Sequence, residues 1–184
     1  MSKLILLLKS DLKNWYFRKI KKMSPMQIKI NHFRKIGMSI GEECYIFSDK
    51  IETAEPYLIT LGNHVTIATD VAFTTHDASA NFYLENTSDI YGRITIGDNV
   101  FIGMRTIILP GITIANNVII GAGSVVTKSI VEEGIVLAGN PARKICSIND
   151  LKSKNSDKNL MTWGMDFNVK REYLLKNEGL FKRT

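Results

Sequence analysis

A chain of 184 residues is long enough for one domain with a substantial core and too short for two. Its 45% hydrophobic and 23% charged residues are typical of a globular protein and exclude the disordered, collagen-like and membrane-embedded classes. The net charge of +6 does not indicate nucleic-acid binding, because residues 36–142 contain four Lys and Arg against twelve Asp and Glu, so the excess lies at the two ends. Solvated helix surfaces are the ordinary reason for basic ends, and attraction to an anionic membrane or an acidic glycan carrier is the alternative.

Residues 1–35 are predicted to form a helical cap in two pieces. Apolar and basic residues recur there at helical spacing, and Pro25 marks a break between the pieces. The apolar run 4–8 ends at Lys9 with no small-residue cleavage site after it, so it predicts neither a signal peptide nor a transmembrane helix. We therefore expect a cytoplasmic protein, in which Cys44 and Cys146 remain reduced thiols.

The centre of the chain contains a repeat with a period of six residues. A β-branched aliphatic residue recurs at every sixth position from Ile96 to Val126. A helix repeats every 3.6 residues and a lone strand every two, whereas six residues are the length of one short strand plus its corner. Three such strands would close a triangular coil with the aliphatic residues inside, so the pattern predicts an all-β core, a parallel β-helix over residues 36–145. The predicted corner residues are Gly97, Gly103 and Asn116 or Asn117.

Weaker copies of the repeat begin at Ile40 and Leu61, and the spacing is interrupted twice. The interruptions are 47–60 and 74–93. The second is about twenty residues long, polar and aromatic, and a long excursion from a compact repeat is usually functional. We therefore predict a protruding loop over 74–93.

The repeat stops after Pro141. Residues 146–184 alternate polar runs with large apolar residues, which predicts a loop and a C-terminal helix. We expect this segment to cover the other end of the β-helix or a neighbouring chain.

Four motifs resemble the hexapeptide-repeat acyltransferases, particularly the maltose, galactoside and polysaccharide O-acetyltransferases. They are THD around His76, YGRITIGDNVFIG, ILPGITIANNVIIGAGSVVTK and AGNPAR, which occur in this order within residues 57–145. The resemblance implies that the β-helix is left-handed and assembles as a homotrimer with active sites between neighbouring coils. It also implies an acetyl-CoA-dependent O-acetyltransferase that acts on a sugar or polysaccharide-precursor hydroxyl.

The resemblance implies that His76, at the head of the protruding loop, is the catalytic base. Removal of a proton from a hydroxyl near neutral pH suits an imidazole. A further group must hold the imidazole in the productive tautomer. Asp70, Asp77, Glu85 and Asp89 are candidates, as is a backbone carbonyl, and the sequence does not choose among them.

The family pattern also implies residues on the donor side. The backbone amide of Met104, after the corner at Gly103, corresponds to the oxyanion donor, and Phe101 stands where the family usually has tryptophan. Small side chains would leave room for the pantetheine arm, and cations would bind the phosphates. The residues expected to contact acetyl-CoA are Phe101, Gly103, Met104, Gly121, Ala122, Gly123, Thr127, Lys128 and Arg143.

The acceptor is less well defined, because residues 46–57 lack the family's usual sugar-binding residues. Asp77, Tyr83 and Tyr91 in the loop are the predicted acceptor-binding residues, and the expected acceptor is a small molecule or glycan. Amino-sugar N-acetylation, transfer to an antibiotic hydroxyl as in the streptogramin acetyltransferases, and transfer to serine are the alternatives.

Two other classes can be built on the same fold. A metal-dependent lyase like the gamma-class carbonic anhydrases needs three histidines around one zinc ion, and His64 and His76 lack the paired spacing, so no metal is expected. His64 falls on a different face of the coil and is predicted to be structural or on the surface. A non-catalytic assembly scaffold is the remaining alternative.

Overall fold

The computed structural model describes Lys19, residues 23–51 and residues 54–181. Its first helix with defined bounds, α1, is Pro25–Lys35. Ser24 caps this helix: its hydroxyl accepts from the Gln27 backbone amide, and the Gln27 side chain accepts from the Ser24 amide. Proline suits the first helical position, so the break predicted at Pro25 is a helix start. Residues 1–18 and 20–22 of the predicted cap lie outside the described residues.

Short parallel strands occupy three sheets that the chain visits in turn. Sheet 1 contains β1 (Ser39–Ile40), β3 (Ile59–Leu61), β8 (Ile94–Ile96) and β11 (Thr113–Ile114). Sheet 2 contains β2 (Tyr45–Ile46), β4 (Thr66–Ile67), β9 (Phe101–Ile102), β12 (Ile119–Ile120), β14 (Ile135–Ala138) and β15 (Arg143–Ser147). Sheet 3 contains β5 (Ala72–Phe73), β10 (Ile107–Ile108) and β13 (Val125–Val126). Successive coils of six-residue units therefore stack on one another, as the period predicts.

The core is a set of aliphatic columns inside the three sheets. Ile67, Ile102 and Ile120 form one column, because each is paired in register with the next. All three are fully buried, as is nearly every sixth residue from Ile96 to Val126. β-branched side chains pack well on a pleated surface, and removing them from water drives the coils together.

Polar side chains stack at one corner of the coils. The Asp98 carboxylate accepts from the Asn63 backbone amide at 2.7 Å, and the Asn116 side-chain oxygen accepts from the Asp98 amide at 2.8 Å. Asn117 takes the left-handed conformation with φ of 56°. At Gly97 a Cβ would lie 2.5 Å from the Asn116 side-chain oxygen. These residues occupy corners, as predicted.

The two interruptions have structure of their own. In the first, Ile51 is buried and a short 3-10 helix spans Pro56–Leu58. In the second, β6 (His76–Asp77) pairs antiparallel with β7 (Ile90–Tyr91), and a 3-10 helix spans Ala78–Phe82. The predicted loop is therefore a hairpin at its base, where strand pairing satisfies backbone groups that leave the coil.

After the last coil the chain turns back at a cis Asn140–Pro141 bond, and β15 pairs antiparallel with β14. Two helices follow, α2 (Ile148–Lys154) and α3 (Phe167–Lys176), and then a 3-10 helix over Glu178–Phe181. The sequence predicts a single helix here. The additional helix, α2, starts at a capping box in which Ser147 and Asp150 exchange hydrogen bonds. Among the described residues no helix has the length and apolar character needed to cross a bilayer.

Candidate active site

His76 stands at the first position of the hairpin and presents its imidazole at the edge of the coil. Its Nδ1 lies 2.9 Å from Oε2 of Glu55. Because an ionised carboxylate can only accept, Nδ1 carries the hydrogen and Nε2 is the ring nitrogen left for a substrate. The His76 side chain is 40% exposed and that of Glu55 only 13%, so the imidazole is accessible while its partner is shielded.

Glu55 is held by a second donor. The Thr75 hydroxyl, which is fully buried, donates to the same Oε2 at 2.7 Å. The Thr75 hydrogen bond, followed by the one from His76, lowers the pKa of the Glu55 carboxyl. The hydrogen bond to Glu55 raises the pKa of His76, and the negative charges of Glu55, Asp89 and Asp77 act in the same direction against partial desolvation.

Glu55, which is 21 residues from His76 in the sequence, is not among the partners predicted for His76. Both interruptions lead into strands of sheet 1: the first, 47–60, runs into β3, and the second, 74–93, ends directly before β8. Since β3 and β8 are paired, the interruptions meet on adjacent coils, and Arg93 ties them by donating to the Tyr57 carbonyl at 3.2 Å. Both interruptions occur at the same position of the repeat, and this is the sequence feature that could have placed Glu55 near His76.

Three of the carboxylates considered from the sequence have other partners. Asp77 accepts from the Ser79 backbone amide at 2.9 Å and caps the 3-10 helix. Hydrogen bonding with the Ser79 side chain, followed by that with its backbone amide, lowers the pKa of Asp77. Asp70 pairs with Lys50 at 2.9 Å, and this hydrogen bond lowers its pKa. Asp89 accepts from the Tyr91 hydroxyl at 3.4 Å. None of these contacts involves the imidazole of His76.

Two of the predicted acceptor-binding residues lie beside His76. Tyr91 is its partner in the hairpin register, with the ring centroids 6.0 Å apart and the planes tilted by 54°. The negative charge of Asp89 raises the pKa of the Tyr91 hydroxyl. Asp77 is the next residue in β6. Tyr83 instead lines a surface pocket formed by residues 81–88, and His76 is not part of that lining.

Thr127 and Lys128 leave sheet 3 by the same edge as His76. Phe73, Ile108 and Val126 are aligned, because Ile108 pairs with both of the others. Phe73 ends β5 and Val126 ends β13. Thr75 and Lys128 therefore occupy equivalent positions, each two residues after the end of its strand. Neighbouring strands are about 4.8 Å apart. Since β13 is two strands from β5, Lys128 and His76 are separated by roughly 10 Å along the axis of the β-helix. Both Thr127 and Lys128 are exposed. One edge thus carries the candidate base and a cation.

The other residues predicted to contact acetyl-CoA lie at the opposite edge of sheet 3, where sheet 2 turns into it. Gly103 is buried there, and a Cβ on it would lie 2.5 Å from the Ala122 amide nitrogen, so glycine is required by close packing of the coils. Gly123 has a φ of 70°. Phe101 and Met104 are exposed beside this corner. A single chain therefore does not bring His76 and Met104 together.

Arg143 is placed with the Gly121 corner rather than with Lys128. The pairing of Ile120 with Leu137 sets Gly121 beside Ala138, which in turn pairs with Arg143 in β15. The exposed Arg143 guanidinium donates to the Ala142 carbonyl at 2.9 Å. The two cations predicted to contact acetyl-CoA thus flank sheet 3 on opposite edges.

The remaining histidine and cysteine candidates lie outside this site. His64 is exposed and pairs through Nε2 with Glu43 at 2.8 Å. Cys44 is buried, and burial raises the pKa of its thiol, which donates to the Gly62 carbonyl. Cys146 is a free thiol in β15. Across residues 23–51 and 54–181, no group of His, Cys, Asp and Glu side chains is arranged to hold a metal ion.

Stacked six-residue coils with glycine corners, and a histidine at the head of an excursion, define a hexapeptide-repeat transferase. The family described as "Bacterial transferase hexapeptide (six repeats)" matches residues 93–128. Over 163 residues the chain is 45% identical to Protein CapG of Staphylococcus aureus, and the match covers 86% of this chain and 92% of that protein. The chain belongs to the hexapeptide-repeat acyltransferase family, as the motifs predict.

Two further relatives are similar over part of their length. Galactoside O-acetyltransferase of Escherichia coli is 42% identical over 115 residues, which cover 62% of this chain and 56% of that protein. A hexapeptide-repeat-containing acetyltransferase of Vibrio cholerae, solved in complex with acetyl-coenzyme A, is 28% identical with a TM-score of 0.53. That match covers 60% of each chain. The similarity extends from sequence to fold.

Proposed function

We propose that the chain is an acetyl-CoA-dependent O-acetyltransferase that modifies a hydroxyl of a sugar or polysaccharide precursor, with His76 as general base. The observation that carries the proposal is the accessible His76 imidazole, bonded through Nδ1 to Glu55 on the edge of sheet 3 that also holds Lys128. The Escherichia coli relative is named for O-acetylation of a galactoside, and the Vibrio cholerae relative binds acetyl-coenzyme A. The proposed coil is left-handed and closed over residues 36–145, with helical segments at 1–35 and 146–184.

In the proposed reaction Nε2 of His76 takes the proton of the acceptor hydroxyl while its oxygen attacks the thioester carbonyl carbon. The carbonyl oxygen becomes an oxyanion, to which the Met104 backbone amide would donate. As the intermediate collapses, the carbon–sulfur bond breaks and the imidazolium returns the proton to the departing thiolate. Asp77 and Tyr91 line the acceptor side, while Tyr83 would reach only the outer part of a larger acceptor. Acetyl-CoA is a metabolite of the cytoplasm, which we propose as the site of action.

The experiment that tests this function follows thiol release from acetyl-CoA in the presence of neutral sugars, amino sugars, nucleotide-linked sugars and serine, with product mass spectrometry. Acceptor-dependent release that gives an O-acetyl ester supports the proposal. An acetamide product would assign amino-sugar N-acetylation instead. If neither thiol release nor acetyl-CoA binding is detected, the non-catalytic assembly scaffold would be the better assignment.

We expect Lys128→Ala to raise the KM for acetyl-CoA by about tenfold, or about 1.4 kcal/mol, with a smaller effect on kcat. The reason is the loss of a cation that would pair with a phosphate of the donor. Steady-state kinetics with varied acetyl-CoA measure the effect. Lys152→Ala in α2 is the matched control, because it removes the same charge from an exposed helix outside sheet 3. An unchanged KM for Lys128→Ala would remove this residue from the donor site.

We also propose that the active form is a homotrimer. His76 and Met104 lie on opposite edges of sheet 3, so a complete site requires the Met104 corner of a neighbouring copy. The outward rows of the sheets fit this arrangement. Sheet 1 presents Ser39, Thr60, Thr95 and Thr113, whereas sheet 2 presents Tyr45, Thr66, Phe101 and Ile119, and sheet 3 presents Ala72, Ile107 and Val125. Apolar rows at two adjacent faces favour burial against another chain.

Light scattering is expected to give three times the 20.7 kDa mass of the chain. Ile107→Lys, which introduces a charge on the apolar face of sheet 3, is expected to reduce the assembly and the activity together. Thr95→Lys places the same charge on the polar row of sheet 1 and is expected to leave both unchanged. A monomeric wild-type protein would contradict the trimer and leave His76 without its oxyanion donor.

A further inference from the structure

Glu55 is fixed in position by contacts on both sides of its place in the chain. Ile51, four residues earlier, is fully buried, and Pro56, directly after it, is buried as well. Tyr57 is tied through its carbonyl to Arg93, which follows the hairpin that begins at His76. The segment that carries Glu55 is therefore anchored to the core and to the hairpin, and the carboxylate is not a freely rotating surface group.

The two hydrogen bonds to Glu55 Oε2 have different donors. The Thr75 hydroxyl is buried and adjacent in sequence to His76, so it holds the carboxylate at the height of the imidazole. The His76 bond uses Nδ1 and sets the plane of the ring. Since both donors favour the ionised carboxylate, Glu55 stays charged at neutral pH, in keeping with its lowered pKa.

We propose that Glu55 is a positioning residue for acetyl transfer, which keeps His76 in the Nδ1–H tautomer, aims Nε2 at the acceptor hydroxyl and stabilises the imidazolium that forms. This inference rests on the proposed function of His76 as the base. Thr75 is part of the arrangement because it fixes the carboxylate. Segment 46–57 departs from the family's sugar-binding pattern. In this proposal the segment positions the catalytic base through Glu55 and does not bind the acceptor.

Other titratable groups face His76, and none of them makes the same contact. Asp77 on its own strand is bonded to the Ser79 amide, and Asp89 on the return side of the hairpin is bonded to Tyr91. Tyr91 contacts the imidazole through its ring. Asp77 and Asp89 act on the imidazole through their charges alone, which solvent screens, whereas Glu55 makes a directional hydrogen bond to it.

Nitrogen-15 NMR tests the arrangement without reference to activity. The chain has three histidines, His32, His64 and His76, so the spectrum is readily assigned by single substitutions. In the wild type, neutral His76 is expected to be mainly the Nδ1–H tautomer. In Glu55→Gln its pKa is expected to fall and the tautomer preference to weaken, while Asp77→Asn and Asp89→Asn change both much less. A wild-type His76 that is mainly Nε2–H, or a pKa unmoved by Glu55→Gln, would overturn the proposal even if one variant failed to fold.

Kinetics then connect the arrangement to catalysis. Glu55→Gln is expected to lower kcat by about 10- to 100-fold, by analogy with the loss seen when a partner that orients a metal-bound histidine is removed, with little change in the KM for acetyl-CoA. The acid limb of the kcat/KM profile should move to lower pH, because the base is less easily protonated without the carboxylate. Asp89→Asn is the matched control for loss of a nearby charge, because Asp89 acts on His76 through its charge and is not one of the predicted acceptor-binding residues.

The double variant Glu55→Gln/His76→Ala separates this inference from the proposed function. If Glu55 acts through His76, the double variant is no slower than His76→Ala alone. A further loss of rate in the double variant would show that Glu55 acts by another route and would overturn the positioning role. If His76→Ala itself retains full activity, the proposed function fails, and the NMR result still decides whether Glu55 sets the tautomer.

Discussion

Replacing His76 with alanine is expected to lower kcat for acetyl transfer by about two to four orders of magnitude, the contribution typical of a general base. A sugar hydroxyl is a poor nucleophile while it keeps its proton, and no other imidazole lies at this edge of sheet 3 among the described residues. Thiol release from acetyl-CoA at saturating acceptor measures the effect. The KM for acetyl-CoA should change little, because the side chain acts on the acceptor proton.

His64→Ala is the matched control. It removes the same side chain from an exposed position where the partner is Glu43, and it is expected to leave kcat unchanged. Thermal unfolding of His76→Ala should resemble that of the wild type, since the imidazole is 40% exposed and fills no part of the core. Near-full turnover by a folded His76→Ala variant would exclude His76 as the base.

The coil could be predicted because its physical cause is periodic. One aliphatic residue in each six-residue unit must point inward, and every coil must place it above the one below. The fold is therefore visible in the sequence as a regular spacing of buried aliphatic residues, such as Ile96, Ile102 and Ile108. The corners could be predicted for a similar reason, since Asn117 adopts a left-handed conformation and Gly97 lacks room for a side chain.

The surroundings of His76 could be predicted only in part. His76 can be identified from the motif that contains it. Its partner lies in an interruption of the repeat, where the six-residue period does not predict which residues are neighbours. The distance from Glu55 to His76 in space depends on the pairing of β3 with β8. Carboxylates close in sequence, such as Asp77, were therefore considered, while the residue in contact was 21 positions away.

The division of the donor side between two edges of sheet 3 follows from topology and not from motif content. Phe101 to Met104 and Thr127 to Lys128 belong to consecutive family motifs, and the order of the motifs alone does not say at which edge of the sheet each segment lies. The register places Met104 beside Ala122 at one corner and Lys128 above Thr75 at the other. In the proposed trimer a neighbouring copy joins the two edges, so catalysis and assembly are predicted to fail together.

Replacing Ile102 with alanine is expected to reduce the free energy of unfolding by about 2–5 kcal/mol, the range for truncation of a fully buried aliphatic residue. Ile102 is fully buried and lies between Ile67 and Ile120 in its column. A stack of coils closes poorly around a missing side chain, because the coil above and the coil below are held at the spacing of paired strands. Urea unfolding at a fixed chain concentration measures the loss, since assembly contributes to apparent stability.

Val131→Ala is the control for this truncation. Val131 is 86% exposed in the turn before β14, so the same kind of change there is expected to cost less than about 0.5 kcal/mol. A loss at Ile102 no larger than that at Val131 would mean that the columns do not carry the stability of the β-helix. The flanking helices and the chain-to-chain contacts would then have to supply it, and the Ile107→Lys variant would be expected to unfold rather than only dissociate.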